Sequence, residues 1–236
     1  MTSFTPRKLL LASASPARLA TLRAAGVNPQ VQVSTVDEPA LLARTGTTDP
    51  EKVALLLAQA KAEDVAATID NPGPSRSNTD DVAATLARTV PPKSNWSDLL
   101  VLGCDSVLDL DGVALGKPEN AADAVRRWQQ MRGRSGVLRT GHWLIDLAAD
   151  SKSAGGTSST TVHFADVSDA EIVAYVATGE PLYVAGAFTI DGFGGAFVTG
   201  IEGDHHGVVG VSLPLLRTLV ASLGVAWPAL WTNETA

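Results

Sequence analysis

Three cations and two carboxylates carry the chemical potential of this chain: Arg18, Lys61 and Lys117, with Glu38 and Asp105. Lysine and arginine bind phosphate oxygens, arginine through a planar fork of donors. A pair of carboxylates can hold a hard divalent ion, and one of them can orient a water molecule. These side-chain types together suit metal-assisted attack of water on a phosphoanhydride. Each residue also has an ordinary reading. Lys61 can lie along a helix stripe as a surface lysine, and Glu38, in Asp37-Glu38-Pro39, can belong to a solvated turn.

The stretch around Arg18 must be positioned first. The apolar run Leu9-Leu10-Leu11-Ala12 reads as a strand that ends at Ser13. Ser15 is a good N-cap, and Pro16 fits the first helical position, where a missing N–H costs nothing. Leu19 and Leu22 follow at helical spacing, and Gly26 offers a stop. A helix start of this kind attracts anions through its free N–H groups and its positive dipole end. Ser13, Ser15 and Arg18 then converge where a strand ends, as a phosphate-holding element. Taken alone, the stretch is better read as an ordinary capped helix on an α/β scaffold.

The remaining elements place the other residues. Gln30 to Val36 alternates as a strand leading to Glu38. Asp49-Pro50 opens a helix that carries Val53, Leu56, Leu57, Ala60 and Lys61 and ends near Ile69. Leu99 to Asp105 is a buried-strand pattern ending in the carboxylate. Asp111-Gly112 is a hairpin signal, and Gly116-Lys117-Pro118 follows the returning strand. A helix covers about Asn120 to Arg132, Gly136 to Leu147 alternates as a strand, and Ala154 to Ser159 reads as a Gly/Ser loop before a strand from Thr160 to Phe164. Ser168 to Glu171 matches a capping box, and Ser212 opens the last clear helix. Residues 70–97 are rich in turn formers and read as a flexible insertion within one domain spanning 1–236. Strands mixed with helices predict an α/β or α+β fold with a mixed sheet flanked by helices.

Composition narrows the classes. The net charge of -7 argues against a surface for nucleic-acid polymers. The single cysteine, Cys104, excludes an internal disulfide framework, fits a reducing cytoplasm, and on a buried strand reads as a small core residue. No apolar run is long enough to span a membrane. Gly112 to Lys117 is one residue short of a phosphate-loop spacing and has Pro118 where Ser or Thr is required. Asp204-His205-His206 reads as a polar loop, because adjacent residues seldom face one ion.

Taken in order, several short pieces resemble one family. They are Leu10 to Arg18, Val36-Asp37-Glu38, Ala60-Lys61-Ala62, Gly103 to Ser106, Leu115 to Pro118, Thr140-Gly141, Thr178 to Leu182, Ala185 to Phe188, and Val209 to Leu215. The sequence resembles the Maf family of nucleoside triphosphate pyrophosphatases across nearly its whole length. The resemblance implies a mixed sheet between helices, two lobes around a central cleft, and a homodimer. It implies hydrolysis of a nucleoside triphosphate to the monophosphate and pyrophosphate with Mg, Mn or Co. By position, Asp105 is the expected proton acceptor, with Ser13, Arg18, Glu38, Lys61 and Lys117 lining the cleft. Three positions depart from the family pattern. Ala17 stands where a bulky Arg, Trp or Tyr is usual, Ser106 replaces Thr, and Asp191 replaces Gln or Glu. The resemblance makes these three the residues that tune the base. A competing expectation is a septum-formation regulator that works by binding a partner. The full set of cationic and acidic residues favours the enzyme, since an adaptor has no need of them.

Overall fold

The computed structural model describes residues 4–70, 98–148 and 152–232. The insertion read at 70–97 lies outside the described residues, except for Asp70 at the end of a helix.

The chain opens with strand β1 (Lys8–Leu11) and helix α1 (Pro16–Ala24). Ser15 caps α1 as expected, its hydroxyl accepting from the Arg18 amide at 3.4 Å. Strand β2 (Gln30–Val31) is shorter than the alternation of Gln30 to Val36 predicts. The chain leaves the sheet because Ser34 Oγ and the Thr35 amide donate to Asp64 on the following long helix, at 2.9 and 2.7 Å. Nor is Asp37-Glu38-Pro39 a solvated turn. Asp37 caps helix α2 (Glu38–Thr45), accepting from the Ala40 amide at 3.0 Å, and Gly46 ends the helix at φ 65°. Helix α3 (Pro50–Asp70) runs as predicted from the Asp49-Pro50 signal.

Among the described residues the sheet holds seven strands in the order β2-β1-β3-β5-β6-β7, with β4 beside the far end of β3. Its long members are β3 (Leu99–Leu110), β5 (Ser135–Asp146) and β6 (Ser153–Phe164). The predicted Gly/Ser loop at Ala154 to Ser159 is the first half of β6. There Gly155 lies against the Trp143 ring, so close that a Cβ would stand 2.2 Å from it. The hairpin to β4 (Val113–Leu115) turns on Asp111 and Gly112, both at positive φ as a type I′ turn requires.

Pairing along β3 explains where a cleft can form. β1 runs parallel to its first four residues, Leu99 to Leu102, and β4 runs antiparallel to Leu108 to Leu110. Between these, residues 103–107 pair with β5 on one side, and among the described residues no strand pairs with them on the other. Asp105 therefore sits mid-strand at a gap in the ladder, not at a strand end.

Helices cover both faces of the sheet. On one face, α1 and α7 (Leu213–Ser222) bury Leu22, Leu216 and Val220 against Leu100, Leu102 and Leu144. On the same face beyond the gap, α4 (Ala121–Met131) and α5 (Asp169–Ala177) pack around Trp128, which meets Phe164, Tyr175 and Phe197 edge to face. Helix α3 covers the opposite face over Leu99, Val101 and Val107. Two packed groups thus stand on either side of the gap in β3, joined by the long strands. The chain then passes through tight turns to β7 (Val198–Glu202), the short helix α6 (His205–Val209) and α7. Among the described residues no helix is long and apolar enough to cross a membrane.

Candidate functional site

The site begins with two glycines that bring α3 onto the sheet. A Cβ on Gly103 would lie 2.0 Å from the Ala58 carbonyl, and one on Gly141 would lie 2.2 Å from the Ala54 carbonyl. Helix backbone therefore rests directly on strand backbone. One turn further on, Lys61 reaches over β3, and its ammonium donates to the Asp105 carboxylate and lies 2.7 Å from Glu38 Oε1. This settles the two readings of Lys61: it points into the cleft. Burial raises the pKa of Asp105 above the ordinary carboxylate value, Lys61 and then Arg18 pull it down, and Glu38 pushes it up. Burial dominates, so Asp105 is a stronger base than an exposed aspartate.

Arg18 approaches β3 from the other face and is itself buried. Its Nε donates to the Gly210 carbonyl at 2.8 Å. Its Nη1 donates to Ser13 Oγ at 3.0 Å and to the Cys104 carbonyl at 2.8 Å, and its Nη2 to Ser106 Oγ at 3.1 Å. A guanidinium has five N–H donors, so four are engaged within the protein and one is left for a ligand. The sequence reading of an open fork for phosphate narrows accordingly. Arg18 ties the end of β1, the gap in β3 and the turn after α6 into one unit.

The donors beyond Arg18 can be ordered. Thr140 Oγ1 donates to the Gly207 carbonyl at 2.8 Å, so in its 2.9 Å contact with Ser106 Oγ the serine is the donor. A chain runs from Arg18 through Ser106 and Thr140 to Gly207. Beneath it lies His142, fully buried. Its Nε2 accepts from the Ser212 amide at 2.8 Å, so its Nδ1 carries the proton and donates to the Thr140 carbonyl at 3.0 Å. That arrangement fits the neutral ring only. Burial, with Arg18 adding to it, pushes its pKa down to about 4 against the hydrogen bond to Thr140. Sequence reasoning missed His142, because a histidine on an alternating strand carries no local signal. Cys104 is a core residue as expected, and burial pushes its thiol up to about 12.

The opposite wall comes from Lys117 and from the turns between Glu180 and Asp191. Lys117 is exposed at the rim. The backbone beside it is held by Arg127, whose Nη1 donates to the Gly116 carbonyl at 2.6 Å, and by the Gly186 amide at 3.1 Å. Ser13, Ser15, Ala17, Arg18, Glu38, Lys61, Asp105, Ser106, Lys117 and Asp191 all line a single cleft of about 1070 Å3. The sequence singled out all ten, and the fold brings all ten together. Asp204 caps α6 by accepting from the His206 and Gly207 amides, so Asp204-His205-His206 is a capped helix start and not the polar loop expected from the sequence.

A mixed sheet whose ladder opens on one side of β3, with cations and carboxylates gathered at the opening, defines an α/β protein with a charged cleft. This chain belongs to the Maf family: the family model described as Maf-like protein matches residues 8–223. The relatives agree over full length. A protein of Salinispora tropica named nucleoside triphosphate pyrophosphatase is 49% identical over 236 residues, covering 100% of this chain and 92% of its own. One of the same name from Streptomyces coelicolor is 49% identical over 231 residues, 98% of each chain. One from Mycobacterium marinum is 45% identical over 230 residues, 96% of this chain and 98% of its own.

Proposed function

We propose that this protein hydrolyses nucleoside triphosphates between the α and β phosphates, releasing the nucleoside monophosphate and pyrophosphate. The observation that carries the reading is the buried Asp105 carboxylate facing Lys61 in a cleft of about 1070 Å3, near the upper end of common ligand-site volumes and large enough for a nucleotide. The shared name of the relatives supports the same substrate class.

Asp105 accepts a proton from water, whose oxygen attacks the α phosphorus. The bridging Pα–O bond breaks, and pyrophosphate leaves with the electron pair. A raised pKa suits this role, since a general base works best when its pKa approaches the working pH. Lys61 and Lys117 neutralise phosphate oxygens, and Ser13 and Ser15 shape the turn beside them. Arg18 contributes its one remaining N–H and chiefly braces the wall. Glu38 and Asp105 flank one cation position, taken in this structure by the Lys61 ammonium. Among the described residues no group of three His, Cys, Asp or Glu side chains could hold a metal. Two carboxylates nevertheless suit a divalent ion that completes its shell with phosphate oxygens and water. When bound, such an ion (Mg, Mn or Co) supplies charge neutralisation at the phosphates.

Ala17, Ser106 and Asp191 form the base-facing group. Ser106 is engaged on both sides by Arg18 and Thr140, so it shapes the pocket more than it reads a base. Ala17 leaves open the space that a bulky residue fills elsewhere in the family, and Asp191 is short and charged. The pocket therefore accepts several bases. The test is a panel of ribo- and deoxyribonucleoside triphosphates with each metal, resolving pyrophosphate from orthophosphate. Monophosphate and pyrophosphate from several bases are expected. Orthophosphate with diphosphate overturns the reaction, and strong selectivity for one base overturns the broad pocket.

A further inference from the structure

We propose that Glu180, which lies outside the cleft lining, is a positioning residue that shapes the wall carrying Asp191 and thereby sets base selection. The proposal rests on the pyrophosphatase reading above. Glu180 opens a tight turn after Gly179, and its carboxylate points away from the turn's own backbone. Oε1 accepts from Tyr175 Oη at 2.9 Å, from Thr189 Oγ1, and from the Gly194 amide at 3.0 Å, while Oε2 accepts from the Phe193 amide at 2.9 Å. Tyr175 Oη in turn accepts from the Thr189 amide at 3.3 Å. The segment from Thr189 to Gly194 is thus wrapped around one carboxylate, with Ile190 and Asp191 left on its cleft side.

The glycines of the segment are shaped to the same group. A Cβ on Gly192 would stand 2.2 Å from Glu180 Oε2, and one on Gly194 would stand 2.5 Å from Tyr175 Oη. The backbone can close on the carboxylate only because both side chains are missing. Burial raises the pKa of Glu180, but hydrogen bonds from Thr189, Gly194, Phe193 and Tyr175 outweigh it and hold the group below the usual glutamate range. The carboxylate is ionised at neutral pH and its bonds are charge-assisted. Gln at this position has one acceptor oxygen where Glu has two, and its NH2 group would face a donor.

Calorimetric affinities for a panel of nucleoside triphosphates, alongside pyrophosphate release, test this in wild type, Glu180→Gln and Tyr175→Phe. For Glu180→Gln the relative affinities among the accepted bases are expected to shift from their wild-type ratio, with the tightest-bound nucleotide about tenfold weaker, an effect of the size a lost charge-assisted hydrogen bond produces. KM should rise while kcat changes little, because Asp105 and Lys61 are untouched. Tyr175→Phe removes one donor to Glu180 and the acceptor of the Thr189 amide, both outside the cleft, and should move the ratio the same way by less. A merely structural role would lower the melting temperature and scale all nucleotides equally. If the ratio stays at the wild-type value in a folded Glu180→Gln, the inference is overturned. If that variant does not fold, Tyr175→Phe decides by the same criterion. Should wild type bind nucleotides with a base preference yet release no pyrophosphate, the reaction proposed above fails, and the affinity ratios still decide the role of Glu180.

Discussion

Two cations meet β3 from opposite faces of the sheet, and they are held in different ways. Arg18 is surrounded by neutral oxygens, two carbonyls and two hydroxyls, drawn from segments up to 192 residues away in sequence. Lys61 lies between two carboxylates, one on the rigid strand β3 and one on α2, a helix with no buried residue. Buried carbonyls that lose their donor have nowhere to turn, so the Arg18 side is a brace. A half-exposed carboxylate on a loosely packed helix can exchange one cation for another, so the Lys61 side is where a ligand can enter. On the proposed reading, one face of the strand supplies rigidity and the other supplies chemistry, and both meet at the same gap in the ladder.

The contrast breaks most visibly at Asp105. Asp105→Asn keeps the shape and loses the base, so turnover should fall by about 10²–10⁴-fold while the melting temperature stays close to wild type. Pyrophosphate release together with nucleotide affinity measures this, and retention of more than about a tenth of the rate would falsify the base assignment.

On the brace side, Arg18→Lys cannot reproduce four divergent bonds. Unmet buried acceptors should cost about 2–4 kcal/mol in all, a fall in melting temperature of about 4–16 °C for a chain of this size. Thermal unfolding at neutral pH checks it, and an unchanged melting point would erase the distinction between the two faces.

His142 sharpens the same point through pH. Its folded pKa of about 4 lies below the ordinary 6.5, so the unfolded chain takes up a proton first as pH falls. Stability from this residue is complete above about pH 6.5 and is lost progressively down to about pH 4, a change on the order of 3 kcal/mol. Denaturant titrations of wild type and His142→Gln between those limits should converge as pH falls. Parallel pH profiles would contradict the neutral buried ring.

The smallest effect belongs to Glu38. Its ion pair with Lys61 is partly exposed, so Glu38→Gln should change stability by less than about 1 kcal/mol. The concentration of divalent ion needed for half-maximal turnover should rise, and a metal titration of the variant reads that shift. A stability loss as large as that of Arg18→Lys would mean that α2 is as firmly held as β3.

Features made by neighbouring residues were legible in the sequence. Ser15 caps α1 and Ser168 forms a capping box with Glu171, because each partner lies three residues away. Asp111-Gly112 dictates its turn through backbone preference, and Asp49-Pro50 opens α3. The ten cleft residues could be named because their types suit one chemistry and their short motifs match one family. Other features depended on distant partners. Asp37 becomes a helix cap once the chain has been pulled off the sheet by Asp64. The Gly/Ser run becomes a strand because β5 presents the Trp143 ring against Gly155. Whether Arg18 grips phosphate or braces the wall, where the His142 proton sits, and what Glu180 holds all rest on contacts that the linear order does not record. A hydrogen bond satisfies whichever acceptor the fold brings within about 3 Å, and along this chain those acceptors come from the far ends of other elements.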